Sequence, residues 1–319
     1  MAGGQERILR RRIKTVESTK KITKAMELIA ASRIVKAQAR VKAARPYSEK
    51  ITDVIRNLAG GGAGLDHPLL KPRDDISTVA YVVVTADRGL AGGYNNNVIR
   101  ASERAMRADR AKGRDIKLYV VGKKANTYFR FRHIPVEETF LGVTDQPSYE
   151  QARDIAHAVA EAFNDASVDA VQIVYTQFLS VGTQRVVQRQ LMPLDAETLE
   201  AAKSTDGPTA SYEFEPSPDL ILSKLLPRYA EARLFAALLD ASASEHAARQ
   251  KAMKAATDNA EDLITNLRRV MNRARQDAIT TEIMEIVGGA EALRQAATDH
   301  EDLLIDHMTP TDLLGITAT

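Results

Sequence analysis

The sequence predicts an α/β domain flanked by two long helices that pair with each other as an antiparallel coiled coil. Three observations carry this reading. The first 58 residues contain one proline, Pro46, and no glycine after Gly4, and they are rich in Ala, Lys, Arg, Glu, Ile and Met, all tolerated or favoured in helices. A second helical stretch runs from about Asp219 to Val287. Between the two, the pattern alternates between strand and helix, the signature of an α/β unit. Two breaks separate these parts: Gly60, Gly61, Gly62 and Gly64 with Pro68 and Pro72, and then residues 206–218 with Gly207, Pro208 and Pro216. Gly frees the backbone and Pro removes a donor, so both read as linkers. The predicted segments are 1–58 (helix), 76–200 (α/β domain), 219–293 (helix) and 294–319 (acidic extension).

In chain order, the first helix spans roughly 75–80 Å at about 1.5 Å per residue. Its apolar residues recur at helical spacing as Leu9, Ile13 and Val16, then Ile22, Met26 and Ile29. The step of six between Val16 and Ile22 rotates the stripe, which fits a changing partner or a bent supercoil. In the middle, Thr78–Thr85 is β-branched and aromatic and reads as a strand. A glycine-rich turn follows, then a helix from about Asn95 to Lys112, a strand at Ile116–Val121 and a helix at Tyr149–Asn164 with Ile155, Val159 and Phe163 on one face. Strands at Ala170–Tyr175 and Gln184–Leu191 complete a small, Rossmann-like domain with a largely parallel sheet. In the last helix Pro227 marks a candidate kink. Ala256, Ala260, Leu263, Leu267, Val270 and Ala274 follow the 4,3 rhythm of a coiled-coil seam, and its alanines favour close approach. Two such helices are too long for a small domain to bury, so they are expected to pair. The last helix is expected to end with Ile279, Ile283, Ile286 and Val287 before Gly288-Gly289, an apolar tip. That tip reads either as a continuing seam or as a greasy end inserted into another protein.

Composition narrows the function. The 319 residues are 44% hydrophobic and 27% charged, which predicts a folded chain. There is no Cys, which excludes disulfides and thiolate chemistry. The net charge is only +2, but residues 1–50 hold 14 Lys and Arg against 4 Asp and Glu, while the segment from Arg294 onward is acidic. A basic start points to nucleic acid, a membrane surface or an acidic protein. The best apolar run is Val79–Val84, far short of a membrane span, and helical patterning from the first residues leaves no room for a leader.

The candidate constellations are few. Asp87-Arg88-Gly89-Leu90-Ala91-Gly92-Gly93-Tyr94 lies where a strand ends and a helix begins, a place that cradles phosphate in nucleotide-binding folds. Its spacing fits neither G-x-G-x-x-G nor a P-loop, and Gly122-Lys123-Lys124 lacks the flanking residues of one, so a tight structural turn is preferred. Arg10, Lys14, Lys21 and Lys24, with Glu17 between, make a basic helical face that suits an acidic partner. Nucleic acid is the second choice, because no aromatic residue in the first 46 offers a stacking platform. The six histidines do not cluster at metal-ligand spacing, and no catalytic constellation stands out.

Three blocks carry a resemblance. The first is Arg12-Ile13-Lys14-Thr15-Val16 running on through Lys21-Ile22-Thr23-Lys24-Ala25-Met26-Glu27-Leu28-Ile29-Ala30-Ala31. The second is Thr85–Asn95, which contains the glycine-rich turn. The third is Ser244–Arg249 with Ala252–Ala260, continuing into Ala274–Ile283 and Glu285–Ala290. In order and separation they resemble the gamma subunits of F-type ATP synthases, over roughly residues 5–293. The resemblance implies a rotor subunit, one copy per complex, without catalytic site or cofactor of its own. Its paired helices enter a hexamer of three alpha and three beta subunits, and its α/β domain meets the membrane c-ring and the epsilon subunit. It further implies a peripheral place on the cytoplasmic face of the cell membrane, held through the complex only, with no nucleic acid bound. Carried over residue by residue, Lys20, Lys21, Lys24 and Met26 match the segment facing an acidic lever of beta. Arg275, Gln276, Thr280 and Glu282 match polar contacts to a beta loop, and Ile283, Ile286 and Val287 match the apolar bearing. The departure is the extension 294–319, expected at the crown of the hexamer, where it limits rotation in one direction. Two other classes remain as alternatives: a coiled-coil adaptor binding nucleic acid through its basic helix, and a nucleotide-binding enzyme built on the Asp87–Tyr94 turn.

Overall fold

The computed structural model describes residues 2–60, 69–70, 73, 75–194, 215 and 217–305. Its elements are α1 (Ala2–Gly60), β1 (Thr78–Val84), α2 (Tyr94–Arg110), β2 (Asp115–Val121), α3 (Lys123–Phe131), β3 (Glu138–Phe140), α4 (Tyr149–Asn164), β4 (Ala170–Phe178), β5 (Gln184–Met192) and α5 (Pro218–Ile305). They form two compact units, one made of residues 1–22 with 257–319 and the other of residues 23–256. Most of both breaks, and the end of the acidic extension, lie outside the described residues.

In the second unit the sheet has the order β3-β2-β1-β4-β5. β1 pairs parallel with β2 and β4, β2 pairs parallel with β3, and β4 and β5 form an antiparallel hairpin. The central strand explains why it is central. Side chains alternate between faces along a strand, so Ala80, Val82 and Val84 enter one core while Val79, Tyr81 and Val83 enter the other. A strand apolar on both faces needs cover on both sides. α2 and α3 cover one face with Val98, Ile99, Met106, Ala125 and Phe129. On the other face α4 contributes Ile155, Val159 and Phe163, joined by Ile51, Ile55 and Leu58 of α1 and Leu226, Leu234 and Leu238 of α5. α4 starts where its sequence says it should: Ser148 accepts from the Gln151 amide while the Gln151 side chain accepts from the Ser148 amide, a closed capping box. Asp169 ties down the start of β1, accepting from the Ser77 and Thr78 amides and from Arg73, and these contacts hold its pKa down at about 2 against the opposing effect of burial. The nine-residue α3 and the three-residue β3 were not foreseen, being too short to show a period.

In the first unit, Ile13 is buried against Ile264 and Leu267, with Leu9, Val16 and Met271 packed around them. Glu17 pairs with Arg268 at 2.6 Å and Lys20 with Glu261 at 2.9 Å, so residue numbers rise on one helix as they fall on the other. The antiparallel pair is therefore present, and its seam keeps Ala260 and Leu267 as expected but takes Ile264 and Met271 in place of Leu263 and Val270. Ala260, Ile264 and Leu267 are inside, whereas Leu263 and Val270 are 40% and 53% exposed. Adjacent apolar residues at 263/264 and 270/271 left the period ambiguous, and the partners offered by Leu9, Ile13 and Val16 decided it. The stripe on α1 is corrected likewise. Ile22 of the first unit faces solvent, as does Ile29 of the second, while between residues 23 and 40 of α1 the buried positions are Thr23, Ala30, Ile34 and Ala37. α5 does not stop at Gly288-Gly289 but continues to Ile305. Two glycines cost about 2 kcal/mol relative to alanine, and the Ala, Glu, Leu and Arg that follow them favour continuation.

Gly122 is the glycine the fold requires. Its φ is +95°, and a Cβ there would sit 2.2 Å from the carbonyl oxygen of Thr85. Gly122→Ala is expected to destabilise the protein by about 2 kcal/mol or more through strain and displacement of that carbonyl. Thermal or urea unfolding of the two chains checks this, and an unchanged midpoint contradicts it.

Candidate partner-binding surface and its buried support

The glycine-rich turn is the centre of the second unit's polar interior. Asp87 accepts the Lys123 amide at 3.0 Å through Oδ1, while Oδ2 accepts the Thr144 hydroxyl at 3.1 Å. Thr85 Oγ1 accepts the Ala125 amide, and the Ala86 carbonyl accepts the Lys124 amide. The first amides of α3, the groups that hold phosphate in nucleotide-binding folds, are thus taken by the protein's own side chains and carbonyls. This geometry favours the reading of the turn as structural.

The helices grip that turn and the neighbouring Val143–Asp145 loop. Arg249 donates from Nε and Nη2 to the Gly89 carbonyl at 3.3 and 3.2 Å, and Nη2 also reaches Glu245 Oε1 at 2.5 Å. Ser242 donates to the Asp145 carbonyl at 3.1 Å, and His246 Nε2 lies 3.4 Å from the same oxygen. Arg33 of α1 forms an ion pair with the Asp145 carboxylate. Tyr94 donates to the Ala241 carbonyl at 3.1 Å, and Ser244 to that of Thr176. Glu245 and His246 are almost fully buried and Arg249 nearly so. Burial pushes Glu245 up despite Arg249. Burial, aided by Arg249 and Arg33, pushes His246 down, so it is held neutral. Burial alone would raise Asp145, yet the hydrogen bond and charge of Arg33 outweigh it and hold the carboxyl below its usual range.

Sequence reasoning missed this network. Glu245, His246 and Arg249 stood out only as part of the Ser244–Arg249 block, without a role, and Arg33 and Asp145 drew no comment. A signal was present, because Leu234, Leu238, Ala241 and Glu245 keep a 4,3,4 spacing, so a charged residue stands where the apolar stripe continues.

The sequence-predicted site residues lie elsewhere, on outer helix faces. In the first unit Lys21 is exposed and Lys20 is ion-paired with Glu261. In the second unit Lys24 pairs with Glu27 at 3.2 Å and Met26 is half-buried. Such exposed pairs are individually weak. Arg275, Gln276, Thr280 and Glu282 are exposed on α5 in the first unit, with Thr280 donating only to the Gln276 carbonyl. Close by on the same helix, Ile279, Ile283, Met284, Ile286, Val287 and Leu293 are between 49% and 75% exposed. An apolar stretch of this kind on a charged helix is what a protein interface presents. The structure thus brings the polar quartet and the apolar residues onto one segment of α5. Among the described residues, no helix is long and apolar enough to cross a membrane.

Breaking the Arg33–Asp145 pair by Asp145→Asn is expected to lower stability by about 1–3 kcal/mol, since a partly buried guanidinium loses its counter-charge. The pH dependence has a definite sign. Because the folded pKa of His246 lies below its ordinary 6.5, the unfolded state takes up the proton first and stability falls as pH drops below about 6.5. His246→Gln is expected to remove that component, so the stability difference between the two chains should shrink in acid. Melting temperatures at several pH values measure this, and parallel curves contradict it.

Comparison with known proteins places this architecture. The ATP synthase family model matches residues 5–293. The ATP synthase gamma chain of Parafrankia sp. (strain EAN1pec) is 52% identical over 298 residues, 92% of this chain and 99% of that one. That of Frankia casuarinae is 52% identical over 295 residues, 91% and 98% of the two chains. A chain in the cryo-EM structure of the Euglena gracilis mitochondrial ATP synthase (OSCP/F1/c-ring) shares the fold, with a TM-score of 0.65 at 19% identity over 92% of this chain and 96% of that one. With a match along almost its entire length, the chain belongs to the ATP synthase gamma-chain family.

Proposed function

We propose that this protein is the central-stalk rotor subunit of an F-type ATP synthase, coupling c-ring rotation to ATP synthesis or hydrolysis at the beta subunits. The observation that carries the reading is the likeness to gamma chains over 99% of a relative's length, which leaves the nucleic-acid adaptor without support. In this reading the α3β3 hexamer, the epsilon subunit and the c-ring are the partners, one copy of the chain serves each complex, and the complex holds it at the cytoplasmic face of the membrane. Chemistry belongs to beta, and this chain transmits work without a catalytic site or cofactor. Residues 1–58 and 219–293 supply the helices that enter the hexamer, residues 76–200 the domain that meets the c-ring and epsilon. The extension 294–319 stands at the crown, with its residues 306–319 outside the described structure.

The roles of single residues follow from their chemistry. Lys20, Lys21 and Lys24, with Met26 beside them, face an acidic lever on beta, where exposed charge pairs attract without locking. Arg275, Gln276, Thr280 and Glu282 make the polar contacts that register a beta loop. Ile283, Ile286 and Val287 run in an apolar bearing, where non-directional contact lets a shaft turn without breaking a hydrogen bond at each step.

Reconstitution tests the reading. Mixed with separately purified alpha and beta subunits, this chain should convert an inert mixture into an ATPase. Arg275→Ala with Gln276→Ala should lower that activity severalfold while assembly persists. A folded chain that neither assembles nor stimulates hydrolysis overturns the proposal.

A further inference from the structure

A cavity of about 290 Å³ opens in the second unit between α1, the β4–β5 hairpin and α5. Its lining follows from periodicity. Tyr229, Arg233, Ala236 and Asp240 recur at three- and four-residue steps on one face of α5, Ser48 and Thr52 share a face of α1, and Arg189 on β5 stands opposite Ile173 on β4. Two features mark it as unfinished. The Nη1 of Arg233 is buried with no hydrogen-bond partner, although its guanidinium lies 5.7 Å from the Tyr229 ring centre; a ring face does not replace an acceptor for an in-plane N–H. Asp240, in the same cavity, makes no hydrogen bond or ion pair with a described residue. Of the other polar groups, the Tyr175 and Ser48 hydroxyls are able to donate, while the Thr52 hydroxyl already donates to the Ser48 carbonyl at 2.7 Å and the Gln190 side chain to that of Pro193.

We propose that this cavity is a binding site for a small oxyanion of the phosphate or sulfate type, held by Arg233 and Arg189 with hydroxyl donors around it and opposed by Asp240. Arg189 stands exposed at the rim, where it meets an anion entering from solvent, and Arg233 lines the inner wall, where a small turn of its guanidinium brings the buried, unpaired Nη1 to the anion. Guanidinium groups suit such ligands because their N–H forks match tetrahedral oxygens. The volume admits a tetrahedral anion together with water. Asp240 makes occupancy proton-linked. The groups facing it are Arg45 and Glu49 of α1, Tyr175 of β4, Arg189 of β5, and Tyr229 and Arg233 of its own helix. Burial raises its carboxyl to about 6 despite Arg189 and Arg45. Ionised, it repels an incoming anion; protonated, it does not, so binding takes up a proton and tightens as pH falls through about 6.

Sulfate is the probe that isolates this linkage, since its own charge stays constant near neutrality. Calorimetric titration of the full-length chain with sodium sulfate, at constant ionic strength balanced with chloride, is done at about pH 5.5 and about pH 7.5. Saturable binding, roughly tenfold tighter at the lower pH, is expected from the charge removed at Asp240. Arg233→Gln should weaken binding about tenfold by removing a charge-assisted donor. Asp240→Asn removes an unpaired buried charge and should bind about equally at both pH values. Circular dichroism confirms that each variant is folded. Inorganic phosphate and glycerol phosphate are then compared at one pH: preference for the first assigns a free anion, preference for the second a phosphoryl group on a larger molecule, and either supports the site. No saturable binding by the folded chain, undiminished binding by Arg233→Gln, or the same pH dependence in Asp240→Asn overturns the proposal. None of these outcomes bears on the rotor reading, because the test needs no partner subunit.

Discussion

The grip of α5 on two loop carbonyls, those of Gly89 and Asp145, is the contact on which the second unit's arrangement depends. Arg249 holds the first, and Ser242 and His246 hold the second, while Arg33 of α1 takes the Asp145 carboxylate. A helix that only rested apolar residues on the sheet could slide, because dispersion contacts are not directional. Carbonyl acceptors fixed by their own backbone set one position along the helix and one rotation about it. The arrangement carries a risk, since a buried ion or imidazole left unmatched is expensive. Here each charged member has an opposite charge or a carbonyl within reach, and the neutral state of His246 avoids adding a cation beside Arg249 and Arg33.

Outside that network the molecule changes character. In the first unit α5 shows isoleucines, a valine and a methionine to solvent, within one stretch of helix. The ion pairs there, Glu17–Arg268 and Lys20–Glu261, are exposed and contribute little each. Stability in this unit rests on the small cluster around Ile13, Ile264 and Leu267. Specific, buried polar contacts therefore serve the part built around the sheet, and non-directional ones serve the paired helices of the first unit.

Much of the fold was legible in the sequence. β1 announced itself through an unbroken apolar run, and α4 through its periodic Ile155, Val159 and Phe163. What stayed hidden has identifiable reasons. Alternate seam positions moved by one residue because Leu263 and Ile264, like Val270 and Met271, are both apolar, and only the facing helix distinguishes them. Elements as short as α3 and β3 carry no period. The end of α5 was misread because glycine lowers helix stability without forbidding it. The outer-face residues singled out for partners were reachable through family resemblance alone, since exposed charges have no pattern that separates a contact from a solvated surface. The buried network escaped because its members lie far apart in sequence, and Arg33, Asp145 and His246 meet only after folding.

Asp87 closes the crevice that a parallel sheet offers at the ends of its strands. Folds of this kind ordinarily leave open the amides beyond the strand ends, where a ligand completes them. Here Thr85, Ala86 and Asp87 of the neighbouring loop take the first amides of α3, and this crevice is closed without a small molecule. The architecture of a receptor has become joinery: the loop is released from the demands of ligand exchange and can be as rigid as its glycines and their neighbours permit. A part that must hold its shape under load while nucleotide levels rise and fall around it gains from being deaf to them.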